Sequence, residues 1–258
     1  MQHSNLYMIG FAGAVCIVCS IFVAGSAVGL KDLQDANKLL DRQKKVLSVA
    51  GLLTAHESPS AEEVQKRYDE KIRPMVVNLG TGEYDDSIDP AKYDQRKAAK
   101  DTKTRKEAPP NKAKVAWLPT HALVYLLMDG ETVQKVILPV EGKGLWSTLY
   151  GFLALEADGN TVAGLTFYEH AETPGLGGEV DNPAWKALWP GRKGYDAQWV
   201  PRLTVIKGKA GTPDVAPHAV DGLSGATLTA RGVGELVLFW LGEDGFGPYL
   251  TKFRAEGR

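Results

Sequence analysis

The sequence predicts an α+β fold, a twisted and mainly antiparallel sheet with flanking helices, preceded by one N-terminal transmembrane helix. Residues 6–30 contain no Asp, Glu, Lys or Arg. Two pairs of apolar runs are each split by a short turn, at Asp129-Gly130 and at Asp158-Gly159-Asn160. Apolar residues recur near helical spacing over 32–53 and again over 228–241. Runs joined by tight turns pair as antiparallel hairpins, and helices with one apolar face cover such a sheet.

The first element, residues 6–30, would form a helix about 37 Å long, enough to cross a bilayer core of about 30 Å. A cleaved signal peptide has an apolar core of about 7–15 residues behind a basic start. Here the run is longer and residues 1–5 carry no Lys or Arg, so a retained anchor is expected. Gly25 and Gly29 form a small-xxx-small pair suited to close helix contact. Cys16 and Cys19 share one face of this helix and read as small apolar packing. Lys31, Lys38, Arg42, Lys44 and Lys45 follow the span. Counted naively, they place the following domain in the cytoplasm, although long domains cross regardless of such charge.

Residues 32–53 read as an amphipathic stalk. Ser60 and Glu63 form a capping box for a short helix that Pro74 ends. Residues 80–114 are charged and poor in apolar side chains, and read as an exposed excursion. The compact domain is expected to start near Val115. Its strands are 122–128 with 133–140, then 149–155 with 161–168. Asn182-Pro183 opens a helix through Trp189, and 203–207 and 216–220 are further strands. A helix over 228–241 follows. The expected organisation is thus a transmembrane anchor at 1–31, a helical stalk and charged excursion at 32–114, and a compact domain at 115–258.

The chain has 258 residues, 30 basic against 31 acidic, with 44% hydrophobic residues. That supports an ample core, and offers neither the basic surplus of a nucleic-acid binder nor the charge excess of a disordered chain. Five scattered histidines, His170 and His218 among them, have no metal-ligand spacing.

Chemistry concentrates at Asp221-Gly222-Leu223-Ser224-Gly225-Ala226-Thr227, directly before the last predicted helix. Helix starts carry unpaired N–H groups and favour anions, and Gly225 and Ala226 admit a phosphate without a bulky neighbour. Two rival readings stand beside a plain capped helix start. Gly222 to Ala226 nearly fits the G-x-S-x-G elbow of a serine hydrolase using Ser224, with Ala at its last position. Gly175-Leu176-Gly177-Gly178-Glu179-Val180 approaches a dinucleotide loop but fails at its last position. Two glycine-bearing loops lie at the hairpin ends, Gly142-Lys143-Gly144-Leu145-Trp146 and Glu172-Thr173-Pro174-Gly175-Leu176-Gly177. Leu145, Trp146 and Leu176 supply flat apolar surface, and Thr173 and the glycine backbone supply donors, which is what a flavin ring needs.

Together these three segments resemble the signatures of the FMN-binding domain family. With the anchor, the stalk and the tail Phe239-Trp240-Leu241-Gly242, Gly245-Phe246-Gly247-Pro248, the whole chain is similar to the C-subunit family of sodium-translocating NADH:quinone oxidoreductases. The Rnf complexes carry a related protein. The resemblance implies an electron-transfer flavoprotein with FMN joined to Thr227 by a phosphodiester bond. Ser224, Gly225 and Ala226 would then line the phosphate and ribityl chain. Glu172, Thr173, Gly175 and Leu176 would border the isoalloxazine, with Leu145 and Trp146 nearby. Lys207 would either reach the flavin or stand solvated at a strand end. The resemblance further implies other subunits of the membrane complex as partners, a flavin transferase that uses FAD for maturation, and no nucleic acid. It places the chain in the bacterial inner membrane as a single-pass protein with the FMN domain on the periplasmic side.

Overall fold

The computed structural model describes residues 4–54 and 57–256. The chain divides into two compact units, Met1–Arg42 and Gln43–Arg258. In the first, helix α1 spans Asn5–Gly29, and Ser4 caps it by accepting a hydrogen bond from the Tyr7 N–H. None of its residues is buried, and its most apolar stretch has a mean hydropathy of 2.4. Length and composition therefore suffice to cross a membrane. Helix α2, Lys31–Ala50, starts in this unit and ends in the second. Gly51 stops it at φ +83, with Leu52 N–H bonded back to Leu47 O and Gly51 N–H to Ser48 O. That is a Schellman ending, which only glycine enters without strain.

In the second unit, α3 covers Ala61–Lys71 behind the expected Ser60/Glu63 capping box. Pro74 does not end this helix. The chain turns directly into strand β1, Ile72–Asn78, with Pro74 inside it opposite Tyr125. An edge strand tolerates proline because alternate N–H groups point away from the ladder. The region expected as an open excursion also folds back. It contains α4, Gln95–Ala98, and β2, Arg105–Glu107, which pairs with β3, Trp117–Pro119. Tyr84 meets Tyr249 through their hydroxyls at 2.8 Å, and Arg96 forks onto Glu169 at 2.6 and 3.0 Å.

The main sheet runs in the order β1-β4-β5-β6-β7, every neighbour antiparallel. Strands β4, His121–Asp129, and β5, Thr132–Lys143, form one expected hairpin; β6, Thr148–Glu156, and β7, Val162–Glu169, form the other. The edge strand β1 comes from upstream of Val115.

After β7 a 3-10 turn covers Gly177–Asp181, and α5 spans only Pro183–Lys186, capped by Asn182. Strands β8, Thr204–Val205, and β9, Ala219–Val220, form a short parallel pair. Helix α6 covers Thr227–Leu241, and a further helix α7 spans Gly247–Ala255 with Pro248 in its first turn.

Helices cover both faces of the sheet. On one face α6 lies over β5, with Leu236 filling the space beside Gly142 and Trp240 Nε1 donating to Glu141 O at 2.7 Å. On the other, buried Val46, Leu47, Val49 and Ala50 of α2 and Val64 of α3 pack. Val49 sits against Gly164, and Lys135 Nζ donates to Ala50 O at 3.0 Å. Alternation along each strand supplies apolar residues to both layers.

Candidate flavin site

Successive turns of a meander fall at opposite ends of the sheet. The β5–β6 connection and the chain leaving β7 therefore emerge together, beside the start of α6. Glu172 joins all three. Its carboxylate accepts from the N–H groups of Leu145, Trp146 and Ser147 at 3.2, 3.0 and 3.0 Å, and from Ser147 Oγ at 3.2 Å. The Thr229 hydroxyl, in the first turn of α6, donates to it at 2.6 Å. Ser147 Oγ in turn accepts from the Ala171 N–H at 2.9 Å. Glu172 is only 5% exposed. Burial alone would push its carboxyl up, but the bonds from Thr229 and the loop N–H groups outweigh burial and hold it below the usual value. Glu172 thus lies behind the loops and does not offer its oxygens to the surface.

The other expected residues stand outward. Leu145, Trp146 and Leu176 are exposed, Trp146 at 69%, as are Thr173 and Gly175. Gly175 and Gly225 adopt φ +74 and +73. A Cβ on Gly225 would come within 3.2 Å of Leu176 Cδ2, which joins the second loop to the motif before α6. Ser224 and Thr227 are exposed and Ala226 is buried. No side chain caps α6, because Ala226 occupies its N-cap. The two threonines of this turn differ sharply: Thr229 is buried and bonded to Glu172, while the Thr227 hydroxyl is exposed with no hydrogen bond among the described residues.

The motif is braced from its far side. Trp185 Nε1 donates to Asp221 O at 2.8 Å, Ala210 N–H to Asp221 Oδ1 at 2.8 Å, and Gly222 N–H to Gly208 O at 2.8 Å. The last of these bonds brings the loop with exposed Lys207 alongside the motif. His170 bonds Asp181 and accepts from the Glu172 N–H, and His218 bonds Lys193 O; neither histidine hydrogen-bonds Ser224.

Sequence reasoning missed Ser147 and Thr229, the partners of Glu172, which are distant in sequence. It also missed Gly232 and Gly234 of α6. A Cβ on Gly232 would strike Lys143 O, and one on Gly234 would lie 2.8 Å from Thr204 Oγ1. The repeated glycine within a helix was the available signal, since glycine costs helix stability unless a close approach requires it.

The FMN-binding domain family matches residues 144–242, which include Leu145, Trp146, Glu172 and Thr227. The C-subunit of the Na(+)-translocating NADH-quinone reductase of Vibrio parahaemolyticus is 48% identical, over 96% of this chain and 95% of the relative. This chain belongs to the C-subunit family of Na(+)-translocating NADH-quinone reductases. The C-subunit of Pseudomonas aeruginosa is also 48% identical, over 98% of this chain and 97% of its own length. Among solved structures, NqrC of Shewanella oneidensis matches with a TM-score of 0.76 at 32% identity, covering 86% of this chain and 99% of that one. Members of this family are subunits of an oxidoreductase complex.

The residues present suit FMN. An uncapped helix start with Gly225 beside it leaves backbone donors open to a phosphate. Exposed Leu145, Trp146 and Leu176 offer the apolar faces a flavin ring requires, next to donors from the glycine loops.

Proposed function

We propose that this chain is the membrane-anchored electron-transfer subunit of a Na(+)-translocating NADH:quinone oxidoreductase, with FMN held on Thr227 by a phosphodiester bond. The observation that carries this reading is the contrast within one helical turn. Thr229 is sequestered by Glu172, whereas Thr227 presents a free hydroxyl at the uncapped start of α6. A flavin transferase with FAD as donor would form the bond. Thr227 Oγ would attack the FMN-side phosphorus of FAD, the P–O bond to AMP would break, and the hydroxyl proton would pass to the departing AMP.

When bound, FMN supplies the electron-carrying chemistry. The chain's own residues do the rest. The first-turn N–H groups of α6, with Ser224, Gly225 and Ala226, receive the phosphate and ribityl chain. Leu145, Trp146, Thr173, Gly175 and Leu176 flank the ring and keep water from it. Lys207, on the loop bonded to Gly222, adds a positive charge on that side. Helix α1 supports a single-pass anchor in the bacterial inner membrane, with the compact unit from Gln43 onward, which includes the FMN site, on the periplasmic side. Partners are the other subunits of the complex. The relatives named above favour the sodium-pumping complex over an Rnf-type one.

The test is the intact mass of the denatured chain after coexpression with a flavin transferase. The expected result is an addition of FMN less water, mapped to the peptide bearing Thr227. It disappears in Thr227→Ala, whose circular dichroism matches wild type. Flavin fluorescence persisting on the denatured Thr227→Ala band would refute the assignment.

A further inference from the structure

Glu172 is the least exposed acidic residue among the described ones, and no Lys, Arg or His among them lies within ion-pair distance of its carboxylate. The fold makes room for it. A Cβ on Gly144 would lie 2.6 Å from Oε1, and one on Gly177 2.6 Å from Oε2. Both oxygens are occupied from the loop at 145–147 and from α6, so the carboxylate fixes the Leu145–Trp146 wall to the helix that bears Thr227. Burying an ion without a counter-ion is costly, and here five donors shared over both oxygens compensate it, an acceptor set that a glutamine, whose Nε2 only donates, does not reproduce.

We propose that Glu172 is a positioning residue whose fixed negative charge, held behind the flavin wall, lowers the reduction potential of the bound FMN. This rests on the reading of FMN at Thr227. Electron uptake adds negative charge to the flavin, and a nearby buried anion opposes that addition. The five hydrogen bonds hold the charge in place and partly offset it. The Thr229 hydroxyl is the shortest of them at 2.6 Å.

The experiment uses the full chain, loaded with FMN by coexpression, and measures the flavin midpoint potential by spectroelectrochemical titration. Glu172→Gln removes the charge and nearly keeps the shape, so its potential shifts to more positive values than wild type. Thr229→Val keeps the shape and the carboxylate but removes the strongest offsetting donor, so its potential shifts to more negative values. A residue that only braces the loop would move both variants in the same direction, and that result, or no shift in either, overturns the proposal. If Glu172→Gln does not fold, Thr229→Val decides alone: a downward shift supports the proposal, and an unchanged or raised potential overturns it. Mass analysis of the wild-type chain separates this outcome from failure of the underlying reading, because FMN missing from Thr227 would show there first.

Discussion

Gly144→Ala tests the packing around Glu172 without any cofactor. The added Cβ would lie 2.6 Å from Oε1 and 2.9 Å from the carboxyl carbon. Comfortable contacts are about 3.5 Å, so the carboxylate must withdraw by several tenths of an ångström or the loop must open. Neither adjustment is cheap, since the carboxylate is tied on two sides and the loop begins with Gly144 N–H bonded to Ser147 O at 2.8 Å. Overpacking costs about 1–3 kcal/mol. Leaving one buried donor unpaired adds about 1–3 kcal/mol. A total of about 3 kcal/mol in a unit of this size lowers Tm by roughly 6–12 °C. Thermal unfolding of the unloaded full chain in detergent, followed by circular dichroism, reads that change. Glu172→Asp, one methylene shorter, should recover part of the loss when combined with Gly144→Ala. A Tm within about 2 °C of wild type for Gly144→Ala alone would refute the account of a carboxylate held tightly between glycines.

Two carboxylates predict opposite pH behaviour. Glu172 titrates below its unfolded value, so the unfolded chain binds more protons between the two values. Its contribution is complete above the unfolded pKa and is lost as pH falls through the folded one. Glu172→Gln should therefore lose stability at pH 7 and converge with wild type in strong acid. Burial pushes Glu141 up, against the pull of Arg96 and Lys100, so its charge opposes folding at neutral pH. Glu141→Gln should raise Tm at pH 7, and the gain should vanish below the unfolded carboxyl range. Arg192, 1% exposed, donates to Leu188 O, Ala216 O and Gly211 O at 3.1, 2.7 and 2.5 Å. Arg192→Met removes the donor to Leu188 O and Gly211 O, while Ala216 O keeps the Ala219 N–H, and should cost about 2 kcal/mol or more, measured by urea unfolding.

The two hairpins and α6 were legible because their signals are local: alternating apolar residues, Asp-Gly turns and a long apolar period. Strand β1 was hidden by Pro74, whose usual helix-ending meaning yields to its place on a sheet edge. Helix α7 was not anticipated, since Gly247-Pro248 reads as a turn as readily as a helix start. Strands β8 and β9 are too short to display a period of their own. Within the site, the loops and Thr227 lay in motifs, but the role of Glu172 depends on Thr229, 57 positions away. Nothing local marks that pairing. The same limit hid the inward bonds of the Glu172 oxygens to the 145–147 loop and to α6.

Gly232 brings α6 against the main chain of Lys143, and Gly234 brings it against the Thr204 hydroxyl and the Val205 N–H. At that separation the helix is already as near its neighbours as atomic size permits. Substitutions there can displace the Thr227 end in one sense only, outward. On the proposed reading the Thr227 end holds the flavin, and electron transfer slows steeply with distance, so these glycines act as a fixed mechanical stop for the attachment point.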